Sequence, residues 1–274
     1  MLDEIDQSQM QRSYGLADLG FTKRNGRVAL DVLRQEGAAK VMLPRVAGDV
    51  PEAVFLNTSG GLTGGDHLRL SMDVGAGCRV LATTQTAERG YAVSSGAARL
   101  DIRARVGAGG RLDWMPQETI LFQNANLHRT TEIDLAAGAE CLLAESLVLG
   151  RAAMGETLHH AGLQDHRIIR RKGRPLWAEG LRLNADVLAD RSAALLRGDR
   201  AFAVVCLIAQ GAEDAVGPLR AALGAGAAVS GWDGRCVLRI SAADGWPMRQ
   251  QLARVLKILT GRALPRVWQS GGLI

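Results

Sequence analysis

Two carboxylates stand at matching places along the chain. Glu88 closes the segment Thr83-Thr84-Gln85-Thr86-Ala87-Glu88-Arg89, and Glu118 closes Met115-Pro116-Gln117-Glu118. Gln85 and Gln117 follow the Ala-Gly pairs at Gly77 and Gly109 by the same interval, so stacked repeats would bring these polar groups to one edge. Paired carboxyls flanking a glycosidic bond are the machinery of sugar hydrolysis. The same oxygens suit a weak, exchangeable site for a divalent metal. The plain alternative is that Glu88 pairs with Arg89 or caps a turn, as surface acids commonly do.

The segment Asn57-Thr58-Ser59-Gly60-Gly61-Leu62-Thr63-Gly64-Gly65-Asp66 invites a phosphate-loop reading. That reading fails twice. No Lys-Ser/Thr follows the glycines, and the next segment reads as a strand, so no helix N-terminus is there to hold an anion. A glycine-lined bend where two layers approach closely fits better, with Asp66 as a polar group at the bend. The five histidines are His67, His128, His159, His160 and His166. They show neither H-E-x-x-H nor finger-type spacing. The four cysteines, Cys78, Cys141, Cys206 and Cys236, lie apart in apolar surroundings and read as small core residues. No serine sits in a Gly-x-Ser-x-Gly elbow.

Composition narrows the classes. Of 274 residues, 47% are hydrophobic and 22% charged, an ordinary globular balance. No stretch approaches the roughly 20 apolar residues of a membrane helix. The start, Met1-Leu2-Asp3-Glu4-Ile5-Asp6, is acidic where a secretory signal would be basic and then apolar. The expected location is therefore cytoplasmic. The net charge is +5, carried almost wholly by arginine. A basic run, Arg167 to Arg174, alternates as two strands joined by a turn at Lys172-Gly173, with its charges expected in water. Only 4% of residues are aromatic, which argues against a surface of stacked bases.

The elements that must position these groups are mostly strands. Leu68 to Val74 and Leu100 to Val106 alternate apolar and polar strictly, which puts one row on a core and one in water. The turn glycines Gly77, Gly109 and Gly138 recur at roughly 30 residues, each between two strand patterns. Such strand-turn-strand units predict stacked layers, as in a β-helix or a coiled sandwich. Toward the C-terminus the pattern changes. Phe202 to Ile208 and Cys236 to Ile240 read as strands. Pro218 opens a short helix ended by Gly224, and Leu252, Val255, Leu256 and Leu259 mark an amphipathic helix ended by Gly261. The expectation is a mainly β protein: a β-helix-like body over 1–190, then a strand-helix-strand-helix part over 191–274 carrying two C-terminal α-helices. No linker separates them.

Taken in order, five segments resemble the urease accessory protein UreD (UreH) family. They are Asn57 to Asp66, Thr83 to Arg89, Pro116 to Phe122, Leu149 to Glu156 and Pro175 to Glu179. The resemblance covers about residues 20–190 closely and the C-terminal helices more loosely. The chain departs from the family pattern at Gly90-Tyr91-Ala92-Val93-Ser94 and at Gln123-Asn124. The resemblance implies a β-helix-like scaffold without catalytic activity. It implies binding to UreF, through it to the GTPase UreG, and to the urease apoprotein, in a larger hetero-oligomer. It also implies transient passage of nickel, with no tightly bound cofactor, nucleic acid or membrane partner. Asp66, Glu88, Glu118 and Glu179 are the acids within the shared motifs and become the tunnel-lining candidates.

Two other classes compete. A carbohydrate-active β-helix enzyme would use the paired carboxylates and would score in a sugar-hydrolysis screen. A basic RNA-binding module would use the arginine run, and its binding would have to survive moderate salt.

Overall fold

Glycine turns build the body of the molecule. The computed structural model describes residues 12–46, 48–190, 192 and 195–269; the acidic opening Met1 to Asp6 lies outside the described residues. Gly77, Gly109 and Gly138 adopt φ of 63°, 62° and 65°, the left-handed conformation that side chains disfavour. Each follows a strand of one sheet and precedes a strand of the other. Strand β5 (His67–Val74) turns into β6 (Arg79–Thr84), β8 (Ala98–Val106) into β9 (Arg111–Trp114), and β11 (Asn126–Leu135) into β12 (Glu140–Leu149). The turns stack as well, since Gly77 N donates to Ala108 O and Gly109 N to Ala137 O. Strands in successive coils are parallel and in register, with Val74 beside Val106 and Val106 beside Leu135. Two short strands, β7 (Glu88–Gly90) and β10 (Thr119–Leu121), pair beside each other on the way back to the first sheet. The expected β-helix-like stack is present.

Further strands extend both sheets. Strands β1 (Tyr14–Arg24) and β2 (Arg27–Gly37) flank the first, and β13 (Gly162–Arg171) and β14 (Arg174–Leu183) close its other side. Its order is β14-β13-β11-β8-β5-β1-β2. The second sheet gains β3 (Ala39–Met42) and β4 (Glu52–Asn57) at one end. At the other it gains β15 (Ala201–Ile208), β16 (Ala227–Trp232) and β17 (Arg235–Ala242). Because β15 pairs antiparallel with β12, the C-terminal strands continue the sheet of the body.

Four α-helices complete the described chain: α1 (Ala185–Ala189), α2 (Val216–Ala222), α3 (Gly245–Thr260) and α4 (Arg266–Gln269). The long one starts at Asp244, whose side chain accepts from Gly245 N, and ends at Gly261 with φ 64°. Its Leu252, Val255 and Leu256 are buried against the outer face of the second sheet, in a core separate from the one between the sheets. The central strands of that sheet are therefore covered on both faces, and β12 is buried from Cys141 to Leu149. All four cysteines are buried. Among the described residues, no helix is long and apolar enough to cross a membrane.

With 51% strand and 15% helix, the far-ultraviolet circular dichroism spectrum should be strand-dominated with a minor helical component. A helix-dominated spectrum would contradict the architecture.

Candidate functional site

The Gly-rich segment forms a bend on which the coils close. A Cβ on Gly61 would lie 2.3 Å from the Tyr91 ring, and one on Gly64 would lie 2.1 Å from Ser95 O, so only glycine allows these approaches. Tyr91 in turn packs edge-on against Phe122, with ring centroids 5.2 Å apart. Asp66 is buried and accepts from Ser13 N at 2.7 Å and Thr63 N at 2.8 Å. It ties the bend to the chain entering β1, which is the plain structural role. Asp66→Ala should leave two backbone donors unpaired, at about 1–3 kcal/mol each. The melting temperature and the yield of any complex should then fall together. Normal melting with selective loss of metal delivery would contradict this role.

Glu88 is placed differently. Its side chain lines a cavity of about 90 Å³ between the sheets, whose polar wall includes Asn57, Gln117, Thr119, Arg129 and Glu145. Asn57 Nδ2 donates to both carboxylate oxygens, at 3.1 and 3.2 Å, and Arg89 N donates at 3.1 Å. The Arg89 guanidinium does not pair with it and instead donates to Gly60 O at 3.3 Å. Burial pushes the Glu88 carboxyl up to about 7, because the two amide donors and the nearby Arg89 charge only partly offset the lost hydration.

Glu118 diverges from it. Its carboxylate accepts from Arg249 Nη1 of α3 at 2.9 Å. That same nitrogen donates to Gln117 Oε1 at 2.5 Å, and the Arg249 guanidinium lies 4.6 Å from the centroid of the Trp268 ring. The acids at 88 and 118 therefore do not face each other as a hydrolytic pair. Glu179 lies on β14, bound by Arg239 and 3.7 Å from Arg167 Nη1. It lines a second, wider cavity of about 740 Å³ with Glu145, Leu147, Arg167, Phe202 and Arg239.

Between the two cavities lies a cluster that the sequence motifs did not reveal. Arg129, Glu145, Asp165 and Arg167 are each at most 4% exposed, far from the usual place of charges. Arg129 grips Asp165 with Nε at 3.0 Å and Nη2 at 2.5 Å, and donates to Thr119 Oγ1 at 3.0 Å. Arg167 bonds both acids, reaching Glu145 with Nε at 2.7 Å. Glu145 also accepts from Thr131 Oγ1 at 2.8 Å and Trp114 Nε1 at 3.1 Å. Burial alone would push the Glu145 carboxyl up, yet the charges of Arg129 and Arg167 hold it down to about 2. Glu145 lines both cavities.

The expectation for the basic run thus needs correction. The turn at Lys172-Gly173 forms, but Arg167 points inward because it shares the buried row of β13 with Leu163, Asp165 and Ile169. The sequence signal for the cluster was there. Arg129 sits between Leu127 and Thr131 on the inner row of β11, and Glu145 interrupts the apolar run of β12.

The described residues hold no group of three or more His, Cys, Asp or Glu poised around a metal ion. Among the histidines, His67 Nε2 lies 2.7 Å from Asp101 Oδ2 on the outer face of the first sheet.

A sheet pair wound from parallel coils, with a charged cluster buried in its apolar core and helices over one face, defines a β-solenoid-like protein. The chain belongs to the UreD urease accessory protein family, whose model matches residues 13–269. It is 56% identical to the urease accessory protein UreD of Cereibacter sphaeroides, over 95% of this chain and 96% of that one. The UreD of Paracoccus denitrificans is 46% identical over 98% of this chain and 96% of its own. That of a Chelativorans species is 40% identical, covering 97% of each.

Proposed function

We propose that this protein is a urease maturation factor that works in the cytoplasm without catalysing a reaction. It acts as a scaffold that joins UreF, and through it UreG, to the urease apoprotein. Nickel passes as cargo between its two sheets, from the Glu88 cavity past Glu145 to the wider cavity at Glu179. The observation that carries this reading is the sharing of Glu145 by the two cavities, which puts three carboxylates in sequence along the inter-sheet space. A conduit needs oxygen groups that hold a cation weakly enough to release it, and a carboxylate among amides, as at Glu88, meets that need better than a His/Cys cage. Glu88 supports the reading further, since it lines the interior with no cation paired to it. Asp66 and Glu118 are assigned to the framework, because neither lines these two cavities and their carboxylates tie the Gly-rich bend to β1 and α3 to the second sheet.

The test is genetic and biochemical. In cells expressing urease with its accessory proteins, loss of this chain should leave urease assembled but nickel-poor, and supplying it in trans should restore the metal. A tagged chain should recover UreF, UreG and urease. Full nickel loading of urease in its absence would refute the proposal.

A further inference from the structure

The cavity at Glu88 holds a donor without an acceptor. Gln117 is 6% exposed and lines the cavity, and its Nε2 is buried with no hydrogen-bond partner. Its other end explains why. Arg249 Nη1 donates to Oε1 at 2.5 Å from the helical layer outside the second sheet, so the oxygen is held toward α3 and the amide nitrogen, on the other branch, stays buried and unpaired. A buried donor without a partner costs stability and calls for an explanation.

Three other oxygens of that wall are already engaged. Asn57 Oδ1 accepts from Ser59 N at 3.1 Å, Thr84 Oγ1 from Gln117 N at 2.9 Å, and Thr119 Oγ1 from Arg129 at 3.0 Å. Glu88 is left as the carboxylate without a cation, and one carboxylate is a poor site for an ion that takes about six oxygens. Turning the Gln117 amide over would add a neutral oxygen to it and remove the repelling N–H dipole.

We propose that Arg249 is a positioning residue that latches Gln117 in the cation-rejecting orientation, so that release of Arg249 completes an oxygen site for a divalent cation at Glu88. The proposal rests on the conduit reading and supplies its regulation. The latch sits where a docking partner could work it. Arg249 lies one turn from the start of α3, stacked on Trp268, and the neighbouring Trp246 is 45% exposed. Moving that end of α3 withdraws the guanidinium, and Gln117 then turns toward the carboxylate.

The experiment titrates the full-length chain with nickel(II) alone. Arg249→Met should bind nickel about tenfold more tightly than wild type, the change expected when one good polar ligand is added to the site. Adding Gln117→Leu should cancel that increase. If Arg249→Met does not fold, Arg249→Met combined with Glu118→Gln carries the same test, since the carboxylate that Arg249 neutralises then loses its charge with it. Equal or weaker binding by the folded Arg249 variant, or an increase that survives Gln117→Leu, would overturn the latch. Glu88→Gln separates the two ideas. If it lowers affinity while the Arg249 variant changes nothing, only the latch falls. If it leaves affinity unchanged, or if no variant binds nickel, the reading of the cavity falls with it.

Discussion

Arg129→Met should destabilise the protein by about 3–5 kcal/mol, the usual cost of removing one partner from a buried ion cluster. Asp165 would lose both of its hydrogen bonds from Arg129 and keep only Arg167, which also serves Glu145. The melting temperature would fall by about 6–20 °C if the whole cost appeared there, or the chain would accumulate unfolded. Arg129→Met combined with Asp165→Leu should recover most of the loss, because both charges leave together. The same cluster predicts the acid limit. The Glu145 carboxyl is lowered on folding, so its contribution is fully present above the ordinary carboxylate range and is lost as pH falls through about 2. Urea melts from pH 6 to pH 2 should show this loss in wild type and less of it in a charge-free cluster. A single Arg129→Met variant as stable as wild type would contradict the pairing.

Glu88→Gln should do the opposite to stability while abolishing delivery. The Glu88 carboxyl is raised on folding to about 7, so the folded state binds its proton more tightly than the unfolded chain does. Its ionisation therefore costs stability progressively as pH rises from the ordinary carboxylate range to about 7, and the full cost applies above that. Glutamine removes the cost, so the variant should be more stable by on the order of 1–3 kcal/mol at pH 8 and unchanged at pH 4. A carboxylate kept in an unfavourable place is a common mark of a functional site. Chemical denaturation at the two pH values gives the comparison. Destabilisation at pH 8 would show that Glu88 serves the framework.

The stacked body was readable because its turns impose a residue type. An Ala-Gly pair at a fixed interval reports a left-handed turn, and strict alternation on either side reports a half-buried strand. Helix α3 was readable for the same kind of reason, through its apolar stripe and its stop at Gly261. The first hairpin was not singled out, because β1 joins the sheet by pairing parallel with β5, some fifty residues away. The inner charges escaped for a deeper reason. Arg129 and Asp165 are 36 residues apart, and each alone looks like a fault in an apolar row. Only the register of β11 against β13 turns two faults into a pair. Among the motif acids, the family resemblance offered Asp66, Glu88, Glu118 and Glu179 alike as tunnel-lining candidates and did not separate them. That distinction depends on which side chains line the inter-sheet cavities, and this is set by long-range strand pairing.

The central claim is that the inter-sheet carboxylates carry nickel, and one measurement reaches it most directly. Urease should be purified from cells in which the only copy of this chain carries Glu88→Gln, and its nickel content measured beside the recovery of the accessory complex. The expected result is a stable chain, a complex recovered at wild-type yield, and urease with most of its nickel missing. Urease fully loaded with nickel, from cells where the variant chain is present and assembled, would contradict passage along this interior.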